Sequence, residues 1–119
     1  MTSNYLAVFT GSKESPRMKA WMAMPEAEQN ASMQKGIAAW KGWMEKHHSV
    51  IVDAGGPLGK TKRVTANGPQ DISNYMSGYV VLRADSHDAA AALFENHPHF
   101  TIFPGEGVEV MPVMPIPAG

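Results

Sequence analysis

The chain has 119 residues, of which 44% are hydrophobic, so it is long enough for one domain with its own core. Ten Lys and Arg against eleven Asp and Glu give a net charge of −1, which argues against a nucleic acid or an anionic membrane surface as partner. The absence of cysteine excludes disulfides, thiolate metal sites and cysteine nucleophiles.

The first half of the chain predicts one strand and two helices. Residues 4–10 alternate well enough for a strand, and Ser15-Pro16 has the N-cap and first-turn proline typical of a helix start, here over 16–24. A longer helix over about 25–47 is indicated by apolar residues at steps of four, three and four: Met33, Ile37, Trp40 and Met44.

The second half predicts three strands and one helix around a polar insertion. The elements are strands at 49–54, 78–84 and 107–113, a helix from Asp85 or Ser86 to His97, a ribbon or loop insertion over 58–76, and an extended tail over 112–119. This order predicts a single α+β domain over 1–119. It is a ferredoxin-like βαββαβ sandwich, with an antiparallel sheet that carries two main helices on one face.

The predicted strands carry apolar residues on both faces. One aliphatic set is expected beneath the helices: Leu6, Val8, Val50, Val52, Val80, Leu82, Val108 and Val110. The alternate set mixes aromatic, aliphatic and ionisable residues: Tyr5, Ala7, Phe9, Ser49, Ile51, Asp53, Tyr79, Val81, Arg83, Glu109 and Met111. We expect a second copy to cover this mixed face, giving a homodimer with a barrel-like centre in which Arg83 neutralises a carboxylate. An open sheet with a wet face is the alternative.

The candidate catalytic residues are His97, His99 and Asp53. The two histidines flank a proline at the end of the predicted second helix, where a side chain with a near-neutral pKa could act as a general acid or base. Asp53, late in its strand, could assist His97. Alternatively His97 caps the end of the helix while His99 faces solvent, and Asp53 forms an ion pair with Arg83 or Lys60.

A ligand pocket is predicted around Trp40 and Trp43, together with Tyr79 and Arg83. Small residues on the same predicted helix, Gly36 and its neighbours, suggest a close approach of backbone or a space kept open, because glycine in a helix costs about 1 kcal/mol relative to alanine. The alternative is that the tryptophans are plain core. No cofactor is expected and no metal, since spacings such as H-E-x-x-H are missing.

Three segments resemble the YCII-related family, in the branch close to DGPF-domain proteins: DAGGPLG (53–59), SGYVVLRADSHDAAAALFENHP (77–98) and GVEVMPV (107–113). The resemblance implies a dimeric α/β barrel of ferredoxin-like fold, and a lyase or isomerase that uses a histidine–aspartate pair without a cofactor. The family histidine falls near Ala38 or Ala39, and the family aspartate falls at His97. The pair would therefore be rearranged here, as His97 with Asp53.

The sequence therefore supports two functional hypotheses; a third, an oxygenase of the same barrel architecture, is weaker because nothing in the sequence points to a haem or flavin site. The first is a dimer that binds a small molecule and acts as a cofactor-independent acid/base isomerase or lyase. The second is a non-enzymatic ligand-sensing or protein-interaction module whose histidines are structural. A cytoplasmic protein is expected in either case, because no apolar run reaches the roughly 20 residues of a membrane span and no signal-peptide pattern opens the chain.

Overall fold

A four-stranded antiparallel sheet forms the centre of the computed structural model, which describes residues 2–117. The strands are β1 (Ser3–Thr10), β2 (Ile51–Pro57), β3 (Thr61–Thr65), β4 (Gly68–Ile72), β5 (Met76–Ala84) and β6 (Gly107–Pro112). The helices are α1 (Pro16–Ala23), α2 (Glu26–Lys46), α3 (His87–Ala92) and α4 (Pro98–Thr101), and a 3-10 turn (His48–Val50) precedes β2.

The sheet has the strand order β2-β5-β1-β6, and β3 and β4 form a separate two-stranded ribbon. All neighbouring strands are antiparallel. With the helices on one face, this is the ferredoxin-like α+β fold that the sequence predicts. Within residues 2–117, none of the helices combines the length and the apolar character of a membrane span.

Side-chain caps fix the start of two helices. Ser15 Oγ accepts a hydrogen bond from the Met18 amide at 3.1 Å, with Pro16 in the first turn of α1. Ser86 Oγ accepts from the Ala89 amide at 3.0 Å and so caps α3. Each cap satisfies a backbone donor that the helix leaves free.

Two predicted elements differ from the structure by three or more residues at one end. The strand expected over 49–54 begins at Ile51, because residues 48–50 close a 3-10 turn, and it continues to Pro57 through two irregularities of register. The helix expected to reach His97 ends at Ala92. Asn96 has a φ of 59°, a left-handed conformation that a helix does not continue through. His97 then begins α4 instead of ending α3.

The register of β1 corrects the prediction of which residues face the helices. Tyr5 pairs with Leu82 and Ala7 pairs with Val80, so the odd-numbered residues of β1 lie on the helix side. Phe9 is 4% exposed and packs against Trp40 of α2, with ring centroids 4.8 Å apart. The prediction for β1 was therefore wrong: its even-numbered residues face outward.

A second correction concerns β2. Ile51 pairs with Leu82 and packs against the core, whereas Val52 is 49% exposed. The bulges in β2 break the simple alternation on which the prediction for this strand depended. The outer face of the sheet carries a mixed set of side chains: Leu6, Val8, Asp53, Tyr79, Val81, Arg83, Glu109 and Met111.

Candidate functional site

The His97-Pro98-His99 turn places two buried imidazoles side by side. His97 is the N-cap of α4, and its Nδ1 accepts a hydrogen bond from the His99 amide at 3.0 Å. Because Nδ1 accepts, the neutral ring carries its proton on Nε2. His97 is fully buried, and its Nε2 is the one buried side-chain nitrogen or oxygen without a hydrogen-bond partner among residues 2–117.

Aromatic rings surround the imidazole of His97. The centroids of Trp40, Trp43 and Phe9 lie 4.6, 4.8 and 5.1 Å from it. Burial, together with the smaller effect of the charges that His99 and His47 can carry, lowers the pKa of His97 from 6.5 to about 4. The ring is therefore neutral at neutral pH, and it makes no polar contact other than the cap.

His99 differs from His97 in the position of its free nitrogen. Its Nε2–H donates to the Thr10 carbonyl at 2.7 Å, which leaves Nδ1 as a lone-pair acceptor. That Nδ1 has no hydrogen-bond partner among the described residues. Unlike His97 Nε2, it is not buried from solvent. Burial lowers the pKa of His99, the hydrogen bond to Thr10 raises it in part, and the Arg17 charge lowers it again.

His99 forms part of the wall of a cavity of about 440 Å³. The cavity lies between α2 and the β2–β5 side of the sheet, and its volume is typical of small-molecule sites. Its lining residues are Phe9, Ile37, Trp40, Lys41, Met44, Ala54, Gly56, Pro57, Ser77, Gly78, Tyr79, Val80, His99 and Phe103. Most of these are apolar or aromatic, and within residues 2–117 Lys41 is the one lining residue with a permanent charge.

The predicted ligand-pocket residues divide into two groups. Trp40 lines the cavity from α2, and Tyr79 belongs to its wall although its side chain projects from the outer face of β5 towards Asp53. Trp43 lies behind it, where its Nε1–H donates to the Leu93 carbonyl at 2.9 Å and its ring packs on His97. Arg83 is exposed and donates to the Ser49 carbonyl at 2.9 Å, away from the cavity. The structure therefore does not place Trp43 or Arg83 in the pocket.

The structure does not bring Asp53 to His97. Asp53 Oδ1 accepts from the Gly55 amide at 2.9 Å, and Oδ2 lies 3.4 Å from the Tyr79 hydroxyl, on the outer side of the sheet. Asp53 is therefore not placed to assist His97, contrary to the prediction. The ion-pair alternative is also wrong, because the salt bridge found within residues 2–117 joins Lys62 and Asp71 in the β3–β4 ribbon.

The structural alternative for the histidines needs correction as well. His97 caps the start of α4 and not the end of α3, and His99 is 8% exposed and so does not face solvent. Both side chains are buried because the turn folds back beneath α2, where Phe9 and Trp40 pack against both rings.

Phe103 is a cavity residue that sequence reasoning missed. It lies in the loop between α4 and β6, where no periodicity identifies a buried side chain. Gly36 on α2 gave a partial signal: a Cβ there would lie 2.5 Å from the Phe103 ring, so the close contact is made by an aromatic side chain, whereas the sequence suggested an approach of backbone or an open space. At Gly42 nothing lies within 4 Å of such a Cβ, and no close approach occurs there.

Among residues 2–117, no group of three or more His, Cys, Asp and Glu side chains is arranged to hold a metal ion.

One solved structure of similar fold is 5-chloro-2-hydroxyhydroquinone dehydrochlorinase (TftG) from Burkholderia phenoliruptrix AC1100, in complex with 2,5-dihydroxybenzoquinone. The two chains are 17% identical with a TM-score of 0.51, and the match covers 91% of this chain and 90% of that chain. At this identity the likeness shows the fold alone. No family model matches the chain, and no curated protein matches its sequence.

Proposed function

We propose that the cavity binds a small, largely apolar molecule and that His99 acts on it as a general base and acid. The observation that carries the proposal is a neutral imidazole whose Nδ1 has no partner, in the wall of an apolar cavity of about 440 Å³. A base must be unprotonated before it can take a proton, and burial keeps the pKa of His99 below its usual value.

The lining residues favour a flat, conjugated ligand. Phe9, Trp40 and Phe103 supply aromatic rings against which such a ligand can stack. Lys41 can attract a negative charge that develops on the ligand, for example on an enolate or phenolate oxygen. The dehydrochlorinase of similar fold, in complex with a dihydroxybenzoquinone, supports a ligand of this general kind.

The reaction class is a cofactor-independent isomerase or lyase. His99 Nδ1 takes a proton from a carbon beside a carbonyl group, the C–H electron pair forms a C=C bond, and the carbonyl π pair moves onto oxygen to give an enolate. In a lyase the carbonyl re-forms, the C=C bond shifts to the next carbon, and a leaving group departs from that carbon with its bonding pair and takes the proton from the imidazolium. In an isomerase the carbonyl re-forms as the imidazolium returns the proton to a different carbon. The Thr10 carbonyl, which accepts from Nε2–H, stabilises the imidazolium.

This proposal gives the two histidines different roles. His97 holds the backbone of His99 through its Nδ1, and it does not line the cavity. A purely ligand-sensing protein would bind the same molecules without turning them over. We also propose that the chain belongs to the YCII-related family, because its ferredoxin-like fold and the proposed class of reaction both agree with that family.

The test begins with a thermal-shift screen of phenols, quinones, enols and small aliphatic acids. A ligand at about 100 times its Kd stabilises the protein by about 2.7 kcal/mol, which raises Tm by several degrees. Ligands that bind are then followed for turnover with the wild type, His99→Gln and, as control, His48→Gln at an exposed histidine. We expect His99→Gln to lose at least about 100-fold in kcat while it retains binding.

Unchanged turnover in His99→Gln would exclude His99 as the base. Binding without turnover by the wild type would leave the ligand-sensing function. A screen in which aliphatic acids bind and no conjugated ring does would contradict the assignment of the aromatic walls.

We further propose that the chain forms a homodimer through the outer face of the sheet. Leu6, Val81 and Met111 share this face, and Met111 is 40% exposed. Arg83 and Glu109 lie on the same face, so a two-fold related copy can pair these opposite charges while it covers the apolar residues.

Sedimentation equilibrium tests this assembly. We expect the wild type to be a dimer at micromolar concentration and Val81→Glu to be a monomer with unchanged circular dichroism. The control is Val64→Glu in the β3–β4 ribbon, where Val64 is 73% exposed and outside the proposed interface. A monomeric wild type, or equal dissociation in both variants, would contradict the proposal.

A further inference from the structure

Arg17 ties α1 to the loop that closes one end of the cavity. Its guanidinium donates from Nη1 to the Gly105 carbonyl at 3.0 Å and from Nη2 to the Phe103 carbonyl at 3.1 Å. The two acceptors are two residues apart on the loop between α4 and β6, so one planar side chain fixes both. No residue of α1 is itself buried, so these two bonds are prominent among its attachments to the rest of the domain.

The loop positions two components of the cavity wall. The Phe103 ring lies against Gly36 of α2, with the rings of Trp21 and Trp40 at centroid distances of 5.8 and 6.1 Å. Gly105 lies so close to the His99 ring that a Cβ there would overlap Cε1 and Nε2. The Gly105 amide also donates to the His99 carbonyl at 2.9 Å. A shift of this loop would therefore move both the aromatic wall and the base.

The geometry points to Arg17 as a positioning residue for the cavity: through the carbonyls of Phe103 and Gly105, it holds the aromatic wall and the His99 ring in place. The effect of Arg17 on catalysis rests on the proposed function. Its effects on the position of the loop and of the His99 ring do not, because these two effects can be measured without a ligand.

The charge of Arg17 acts on His99 as well. A cation near the imidazole opposes its protonation, so Arg17 lowers the pKa of His99 in addition to the effect of burial. The other groups near the ring that can carry charge are His97, which caps α4, Lys41 in the wall of the same cavity, and Glu106 at the end of the loop, whose side chain is exposed. Removing the guanidinium charge is therefore expected to raise the pKa of His99.

The experiment compares Arg17→Met, Arg17→Lys and the control Lys19→Met, which removes an exposed cation from the same helix. Two measurements are made on the ligand-free protein: the NMR titration of the His99 imidazole and the hydrogen-exchange protection of the Gly105 amide. For Arg17→Met we expect a higher pKa of His99 and at least about a tenfold loss of Gly105 protection. For Arg17→Lys we expect a similar loss of Gly105 protection, because the paired donors of the guanidinium are lost. The pKa of His99 should stay close to its wild-type value, because the positive charge remains.

Lys19→Met should change neither measurement. The inference is overturned when Arg17→Met leaves Gly105 protection at the wild-type level, or when Lys19→Met lowers it equally. Failure to find a ligand would count against the proposed function and would leave these two measurements unaffected, so the two ideas fail separately.

Discussion

The burial of neutral His97 should make the protein less stable at moderately acidic pH. Its pKa in the folded state is about 4, against 6.5 when the ring is in water, chiefly because the ring is fully buried. Between these values the unfolded chain binds a proton that the folded chain does not, so stability rises with pH. The slope is about 1.4 kcal/mol per pH unit, and the whole window corresponds to about 3 kcal/mol. That is a large part of the roughly 5–15 kcal/mol that stabilises a small domain.

The assay is urea unfolding of the wild type and His97→Asn from about pH 7 to about pH 4.5. Asparagine keeps a side-chain acceptor for the cap of α4, but it does not titrate. We expect the wild type to lose about 1.4 kcal/mol more per pH unit than the variant below about pH 6. A general loss of packing in the variant lowers its stability at every pH and leaves this difference in slope intact.

The matched control is His48→Asn, at an exposed histidine, and it should follow the wild-type slope. Parallel profiles for the wild type and His97→Asn would refute the reasoning. NMR titration of His97 in the wild type gives an independent check that does not require the variant to fold, and a pKa near 6.5 would refute it equally.

Three substitutions test other parts of the structure. Gly105→Ala forces a Cβ into the His99 ring and should lower the free energy of unfolding, measured in urea, by about 1–3 kcal/mol. The control Gly59→Ala, where nothing lies within 4 Å of the added Cβ, should change it little. Equal losses in both variants would contradict the close packing of Gly105 on His99. Ser86→Ala removes the α3 cap and should lower the free energy of unfolding by about 1 kcal/mol, and no change would show that the cap is dispensable. Trp43→Phe leaves the Leu93 carbonyl without its side-chain donor and should lower the free energy of unfolding by about 1–3 kcal/mol. Ligand affinity should stay within about twofold of the wild type, because Trp43 lies outside the cavity. A larger loss of affinity would place Trp43 in the site.

The sequence predicted the elements better than it predicted their faces. Ser15-Pro16 and the apolar steps of the long helix depend on local chemistry, and both helices occur nearly as predicted. The face of β1 could not be read in this way, because this strand lies in the middle of the sheet and both Leu6 and Ala7 are apolar. Only the pairing of Tyr5 with Leu82 decides the face, and pairing is a property of the folded sheet.

The candidate site shows the same division between local and long-range information. Trp40 lies on a helix with a clear apolar stripe and lines the cavity, whereas Trp43, predicted for the pocket on the same ground, lies behind it. Phe103 and Arg17 meet across a sequence separation of 86 residues, and neither belongs to a periodic pattern. The glycine at position 36 was the one local sign of the close contact with Phe103, and it could not identify its partner.

The His-Pro-His motif shows why the spacing of two histidines does not tell which of them can do chemistry. A residue before proline is extended and suits the N-cap position, and an N-cap side chain accepts from the amide two residues later. His97 therefore uses its Nδ1 on the His99 backbone, and its other nitrogen is enclosed by tryptophans. His99, in the first turn, has its Nε2–H fixed by Thr10, and its Nδ1 has no partner among residues 2–117. The same turn thus uses the first imidazole as a helix cap and leaves the second with the unpaired nitrogen that the proposed function requires.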